Sequence, residues 1–254
     1  HQHREAYDLF GSPLGSFGDG PEDRRVRESV HAMDAAALGE CQRVFTISRN
    51  VANRLARHNG LAGTPLHPPP RDPCRYRTDG YGNYLFYAGR LERIKRVDLA
   101  LRALAASTCW ARLKIAGQGS LEVDLRRLAA TLGVGERVDF LGFVSDEDLV
   151  ALYAGCRAAW YAPQDEDYGY VTVESFLSQK PVVTSTDAGG PLEFVEDGVT
   201  GVVAAPEPRA LAEAIDRLFA VPEARLREMG AEARRRVEHL SWDTVVDCLT
   251  ETLR

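Results

Sequence analysis

The sequence is poor in lysine: Lys95, Lys114 and Lys180 are the only ones among 31 basic residues, and 37 acidic residues leave a formal charge of −6. That balance argues against the broad basic face needed for nucleic-acid binding, while leaving room for a local phosphate site. The five cysteines (Cys41, Cys74, Cys109, Cys156 and Cys248) are odd in number, scattered and without a C-x-x-C pair. A disulfide framework or zinc site is therefore not expected, and a reducing compartment fits. No apolar run approaches the roughly 18–20 residues of a membrane span, and no signal-peptide pattern is found. The chain opens on "HQHREAYDLF" without an initiating Met, so it is expected to be a piece of a longer protein. What is present is ordinary for a globular chain: 254 residues, 44% apolar and 27% charged, enough for a proper core in one large or two small domains.

Two textures divide the chain. The first 70 residues are irregular: a Gly/Pro/Asp loop over Gly11–Arg25, a helix from about Arg25 to Gly39, a short strand in "RVFTIS" (Arg43–Ser48), and a helix over Arg49–Gly60. The last has Val51, Leu55 and Ala56 on helical spacing, with Gly60 as its cap. "TPLHPPPRDP" (Thr64–Pro73) holds Pro65 and Pro68 to Pro70, and reads as an inter-domain linker excluded from sheet and helix. We therefore expect a domain over 1–70 and another over 71–254.

From Tyr84 onward, short apolar runs alternate with amphipathic helices. The expected strands are Tyr84–Gly89, Leu113–Gly117, Val138–Gly142, Ala158–Ala162 and Pro181–Ser185. One helix presents Leu121, Leu125, Leu128, Ala129 and Leu132, and another (Asp146–Gly155) turns Leu149, Leu152 and Tyr153 inward. The pattern implies an α/β fold with a parallel sheet covered on both faces. Ligands of such sheets bind beyond the carboxyl ends of the strands.

The loops at those ends carry the chemistry. "AGRLERIKR" offers Arg90 and Lys95, a planar fork and a point charge suited to a diphosphate, or simply a solvated basic turn. "AGQGS" puts Gly117 in a G-x-G turn that either admits an anion or merely connects. In "GFVSDEDL", Ser145 is a helix cap, and Phe143 and Val144 lie where backbone groups would meet a base. "QDEDYGYVTVE" places Glu166 on a loop and Glu174 in a helix, with Gly169 and a helix start between them. Free amides there favour an anion, although Glu174 alone could be an acid answering the helix dipole. Gly189–Gly190 before Pro191 reads as an anion-accepting turn.

In this order, "AGRLERIKRVDLALRALA", "LKIAGQGSLEVDLRRLAATLGVGERVDFLGFVSDEDLVALYAG", the E-x7-E element "EDYGYVTVE", "KPVVTSTDAGGPLEFVEDGVTGVV" and "LSWDTVV" resemble the retaining glycosyltransferases of family 4, from about Leu85 to Phe219 and into the C-terminal helices. The resemblance implies a GT-B fold: a Rossmann-like donor-binding domain and, over the first 70 residues, a partial second Rossmann-like domain that binds acceptor. Roughly the first third of a family member would then precede His1. It implies transfer of a sugar from a UDP- or GDP-sugar to a sugar or lipid-linked acceptor, with retention, in polysaccharide or glycoconjugate synthesis. Neither cofactor nor metal is implied.

By the same resemblance, Arg90 and Lys95 hold the diphosphate, Glu166 binds hydroxyls of the moving sugar and Glu174 those of the ribose. Tyr168, Gly169, Tyr170 and Val171 meet sugar or phosphate, largely through backbone amides. Gly117, Phe143 and Val144 border the nucleotide, and His1 or His3 either touches the donor or does nothing. A cytoplasmic location, with peripheral membrane association through the first domain, is implied too. The chain departs from the family where Arg96 follows Lys95 in place of Gly, where Ser175 and Phe176 follow the second Glu, and at "SQKP", where a Gly is common.

Other functions remain open at this level. A glycoside hydrolase also uses two acids, but across a scissile bond and without Arg90 and Lys95. A nucleotide-sugar-binding module would bind without turnover, and a sugar-nucleotide epimerase shares the fold type.

Overall fold

The computed structural model describes residues 4–251, so the expectation for His1 and His3 lies outside the described residues. The chain divides into two compact units, one ending at His67 and one beginning at Pro68.

The first unit holds helix α1 (Pro21–Gly39), strand β1 (Phe45–Thr46), helix α2 (Arg49–Asn59) and strand β2 (Thr64–Pro65). α1 starts ahead of the expected Arg25 because Pro21 presets the first turn. β1 and β2 pair in parallel, which corrects the exclusion of Pro65 from a sheet. The ladder asks no donor of Pro65: Thr64 N donates to Val44 O at 2.9 Å and Leu66 N to Thr46 O at 2.7 Å. The proline sits on an exposed strand at the position whose nitrogen faces away. α2 is capped by Ser48, which accepts from Val51 N, and closed by Gly60 at φ 67°. It buries Ala52, Arg54 and Leu55, with Val51 half-buried and Ala56 exposed, unlike the expected set. Arg54 is drawn inward by Asp8, 3.6 Å away.

The second unit is a six-stranded parallel sheet with helices. Its strands are β3 (Tyr84–Ala88), β4 (Arg112–Ala116), β5 (Val138–Gly142), β6 (Ala158–Trp160), β7 (Val182–Ser185) and β8 (Gly201–Ala204). The order across the sheet is β5-β4-β3-β6-β7-β8. The first five were expected; β8 was not. The helices are α3 (Val97–Ala106), α4 (Glu122–Thr131), α5 (Asp146–Gly155), α6 (Tyr170–Leu177), α7 (Pro208–Ala220), α8 (Glu223–Arg235) and α9 (Trp242–Thr250).

Leu85, Phe86 and Tyr87 of β3 and all four residues of β7 are buried, as strands covered on both faces must be. β5 lies at the edge and leaves Leu141 exposed. α5 turns Val150, Tyr153 and Ala154 inward, whereas Leu149 and Leu152 are only half-buried. The reason is Tyr153, which packs edge-on against Phe86 with ring centroids 4.8 Å apart and sets the helix's rotation.

The strand order reverses between β3 and β6. The chain leaves β3 outward through β4 and β5, then returns to lay β6 on the other side of β3. The loops after β3 and β6 diverge from this point, and an open parallel sheet has its ligand crevice there.

Candidate active site

The two loops at the reversal meet through side chains. After β3 the chain makes a 3-10 turn, Arg93–Lys95. Lys95 Nζ from this turn pairs with Glu166 Oε2 from the loop after β6. Tyr161, just past the end of β6, donates its hydroxyl to the same oxygen at 2.8 Å and lies 3.4 Å from Lys95 Nζ. The Lys95 and Glu166 side chains are 14% and 18% exposed, so the pair is shielded but reachable from solvent. Burial alone would push the Glu166 carboxyl up; the Lys95 charge and hydrogen bond, then the Tyr161 hydroxyl, outweigh it and hold the carboxyl below its ordinary value.

The backbone around Glu166 is fixed as well. Glu166 N donates to Ala188 O at 2.8 Å, and Gly190 N returns a bond to Glu166 O at 2.8 Å. This isolated bridge ties the loop to Gly189, whose φ of 75° with ψ −121° suits only glycine. Pro191 follows in a short 3-10 turn, Gly190–Glu193.

Glu174 has the opposite surroundings. It lies in the second turn of α6 and accepts from Tyr153 Oη at 3.0 Å and from the Tyr76 hydroxyl. Burial raises its carboxyl above the ordinary value, and the two phenols only partly counter that. One loop carboxylate is thus held by a cation, and one helical carboxyl by two neutral donors.

The other expected residues are distributed around these two. Arg90 is 72% exposed and pairs with Glu92 at 2.9 Å, so its guanidinium is not in the Lys95–Glu166 cluster. Gly117 has a packing duty: at φ 136°, a Cβ there would lie 1.8 Å from Gly89 O, so the G-x-G turn nests against the Arg90 loop. Leu91 N donates to Gln118 O at 3.0 Å across the same seam. Phe143 is 82% exposed and, with Val144, Tyr84, Leu141 and Lys114, borders an open groove of about 560 Å³. Lys114 Nζ lies 4.2 Å from the Tyr84 ring centroid in that groove. Ser145 caps α5, accepting from Asp148 N at 3.1 Å.

Tyr168 is buried and spends its hydroxyl on Pro68 O at 2.9 Å, which makes its side chain a brace. Gly169, at φ 84°, starts α6, and a Cβ there would strike Tyr161 Cε1 at 2.7 Å. Tyr170 is exposed beside it and Val171 is buried. Among the described residues no three His, Cys, Asp or Glu side chains converge as a metal cage would require, and no helix is long and apolar enough to cross a membrane.

Sequence reasoning missed the roles of Tyr161, Tyr153 and Tyr76. Tyr153 and Tyr161 read as parts of a core helix and strand, Tyr76 does not stand out, and nothing in the spacing reveals that their hydroxyls point at the two glutamates. Arg96 and "SQKP" stood out only as departures, and both have structural accounts. Arg96 and Gln179 take the left-handed φ values of 49° and 56° that a glycine adopts freely. Lys180 is fully buried, and its ammonium bonds Thr78 Oγ1 at 2.9 Å and the Gly80 carbonyl.

The chain matches the model for "Glycosyl transferases group 1" over residues 74–236. It is 30% identical over 170 residues to the human alpha-1,3/1,6-mannosyltransferase ALG2, covering 61% of this chain and 40% of that protein. It is 35% identical over 177 residues to D-inositol 3-phosphate glycosyltransferase of Mycobacterium tuberculosis (strain ATCC 25177 / H37Ra), covering 66% of this chain and 36% of that protein. The matched region is thus well under half of either relative. Among solved structures, Anabaena HepE in complex with UDP and glucose superposes with a TM-score of 0.78 at 22% identity, over 89% of this chain and 67% of that one. Sucrose-phosphate synthase from Thermosynechococcus elongatus gives 0.77 at 24%, over 89% and 61%. The fold is shared with these GT-B structures.

Proposed function

Because the chain belongs to the glycosyl transferases of group 1, we propose that it provides the donor half of an enzyme that moves a sugar from a UDP- or GDP-sugar to a sugar or lipid-linked acceptor with retention. The observation that supports this most is the meeting of Lys95 and Glu166 at the point where the strand order reverses. A cation there counters the negative charge that grows on the departing diphosphate. Glu166, kept ionised by Lys95 and Tyr161, accepts hydrogen bonds from hydroxyls of the moving sugar. Glu174, facing Tyr153 and Tyr76, takes the vicinal hydroxyls of the ribose. The start of α6 at Gly169 turns unbonded amides toward the phosphates. Arg90 swings from Glu92 to the diphosphate, which its exposure permits. No protein nucleophile is assigned; the leaving phosphate oxygen takes the acceptor's proton as the new bond forms on the same face. These groups need no metal to balance the leaving charge.

A second reading follows from the extent of the match, 40% of ALG2 and 36% of the mycobacterial enzyme. In it, the chain binds nucleotide sugar but transfers nothing without further sequence or a partner chain. Calorimetry with UDP and GDP, paired with turnover of a panel of UDP- and GDP-sugars, separates the readings. Binding with turnover supports the enzyme, binding alone supports the module, and neither would overturn both.

A further inference from the structure

We propose that Arg96 is the positioning residue of the Lys95–Glu166 pair, its guanidinium fastening the loop that carries Glu166 to the loop after β7. The inference rests on the reading that this pair faces the donor. Arg96 follows Lys95 directly, and its side chain is 15% exposed. Its Nε donates to Ala162 O at 3.0 Å and its Nη2 to Pro163 O, the last carbonyls before the Glu166 loop. Nη2 also reaches Ser185 Oγ at 3.0 Å, and the fork grips Asp187 with two bonds of 2.8 Å.

Backbone bonds finish the weave. Gln164 N donates to Ile94 O at 2.9 Å, Asp165 N to Asp187 O at 2.8 Å and Glu166 N to Ala188 O at 2.8 Å. Three segments therefore converge on one guanidinium: the turn that bears Lys95, the loop that bears Glu166, and the loop that leads to Gly189. Ala162 and Pro163 are buried, and their carbonyls require donors that water does not supply. A planar fork serves two carbonyls and a carboxylate at once, which a lysine ammonium does not match.

The backbone supplies a second argument. Arg96 sits at φ 49°, a conformation that disfavours side chains. An arginine held there gives up backbone comfort for what its side chain does. A glycine would relieve the strain and delete the clamp in one step, which separates positioning from folding.

The test compares Arg96→Gly, Arg96→Lys and Asp187→Asn with the unaltered protein. The readouts are UDP and GDP affinity by calorimetry, kcat and KM for nucleotide release from the panel's best-turned-over UDP- or GDP-sugar, and thermal unfolding. Arg96→Gly is expected to lower kcat about 10- to 100-fold, the scale of a misplacement of about 1 Å, while the UDP Kd moves less than about threefold. Guanidinium ion at about 10 mM restores part of the lost kcat in Arg96→Gly, and Arg96→Lys does not restore it. Asp187→Asn, which leaves Arg96 and its backbone in place, lowers kcat in the same sense.

A folded Arg96→Gly or Asp187→Asn with kcat within about twofold of the unaltered protein overturns the proposal. So does a loss of kcat matched by equal loss of UDP affinity and of thermal stability. Glu166→Ala run alongside separates the two layers. If its turnover is normal, the reading of the site fails; if the unaltered protein turns over no UDP- or GDP-sugar of the panel, the enzyme reading fails and the proposal with it. If Glu166→Ala is dead and Arg96→Gly is normal, only the role of Arg96 fails.

Discussion

Replacing Glu166 by alanine should lower stability and turnover while leaving nucleotide affinity unchanged or raised. Lys95 and Glu166 are in contact with 14% and 18% of their side chains exposed. Two unit charges about 4 Å apart at an effective dielectric of about 20 attract by roughly 4 kcal/mol. Desolvation takes back much of that, leaving a net coupling of about 1–3 kcal/mol. In Glu166→Ala the Lys95 ammonium keeps only Tyr161 Oη, 3.4 Å away, among its described partners, and the nucleotide-free protein should lose about 2–3 kcal/mol.

On the function proposed above, the freed ammonium then has no internal rival for the diphosphate. UDP should bind as well as before or up to about tenfold more tightly, about 1.4 kcal/mol, while turnover falls by about 10²–10⁴ because the sugar hydroxyls lose their acceptor. Urea unfolding with and without UDP, calorimetry and a turnover assay measure the three quantities. The pH dependence gives a fourth. Glu166 is held below its ordinary value of 4.5, so its contribution is present above that pH and disappears as pH falls through the folded value. The stability gap between the unaltered protein and Glu166→Ala should therefore be full at pH 7 and close below about 4.5. A variant that bound UDP ten times more weakly, or turned over normally, would refute the reasoning.

Glu174→Gln should give the reverse profile. Its carboxyl is raised above the ordinary 4.5 by burial, so its favourable contribution is complete below that value and is lost as pH rises through the folded one. At pH 7 the amide relieves that penalty while still accepting from Tyr153 and Tyr76, so urea unfolding should show the variant as stable as the original or more so, with weaker UDP binding by calorimetry; a clear loss of stability would contradict this. Gly117→Ala should cost more than about 3 kcal/mol or prevent folding, since its Cβ would meet Gly89 O at 1.8 Å with φ at 136°. Gly135→Ala, with nothing within 4 Å of the added carbon, should stay within about 0.5 kcal/mol in the same unfolding assay.

The sheet of the second unit was legible because its strands are short apolar runs closed by turn residues, and five of its six could be read that way. β8 escaped because "GVVA" follows a turn that looks like the tail of the preceding loop. The first unit was harder. Pro65 in a strand and Arg54 in a core face both break local rules, and each is explained by a partner distant in sequence: Val44 and Thr46 around the proline, Asp8 beside the arginine.

The candidate site was legible in its acids and bases but not in their partners. Arg90, Lys95, Glu166 and Glu174 stand out by charge at strand ends, yet their sequence positions do not tell them apart electrostatically. The structure does, through residues that look like core. Tyr161 belongs with Lys95 on one carboxylate, and Tyr153 and Tyr76 on the other, so the pKa values of two glutamates eight residues apart are pushed in opposite directions. Arg96 makes the same point. In the sequence it stands out only as a departure from the family's Gly, yet it has five acceptors: four are carbonyl and carboxylate oxygens of the protein and the fifth is a serine hydroxyl. A guanidinium whose Nε and Nη2 are spent in this way has little left for a phosphate. On the function proposed above, the electrostatic work on the donor falls to Lys95 and to the exposed Arg90, and the geometry that lets Lys95 do it falls to its neighbour.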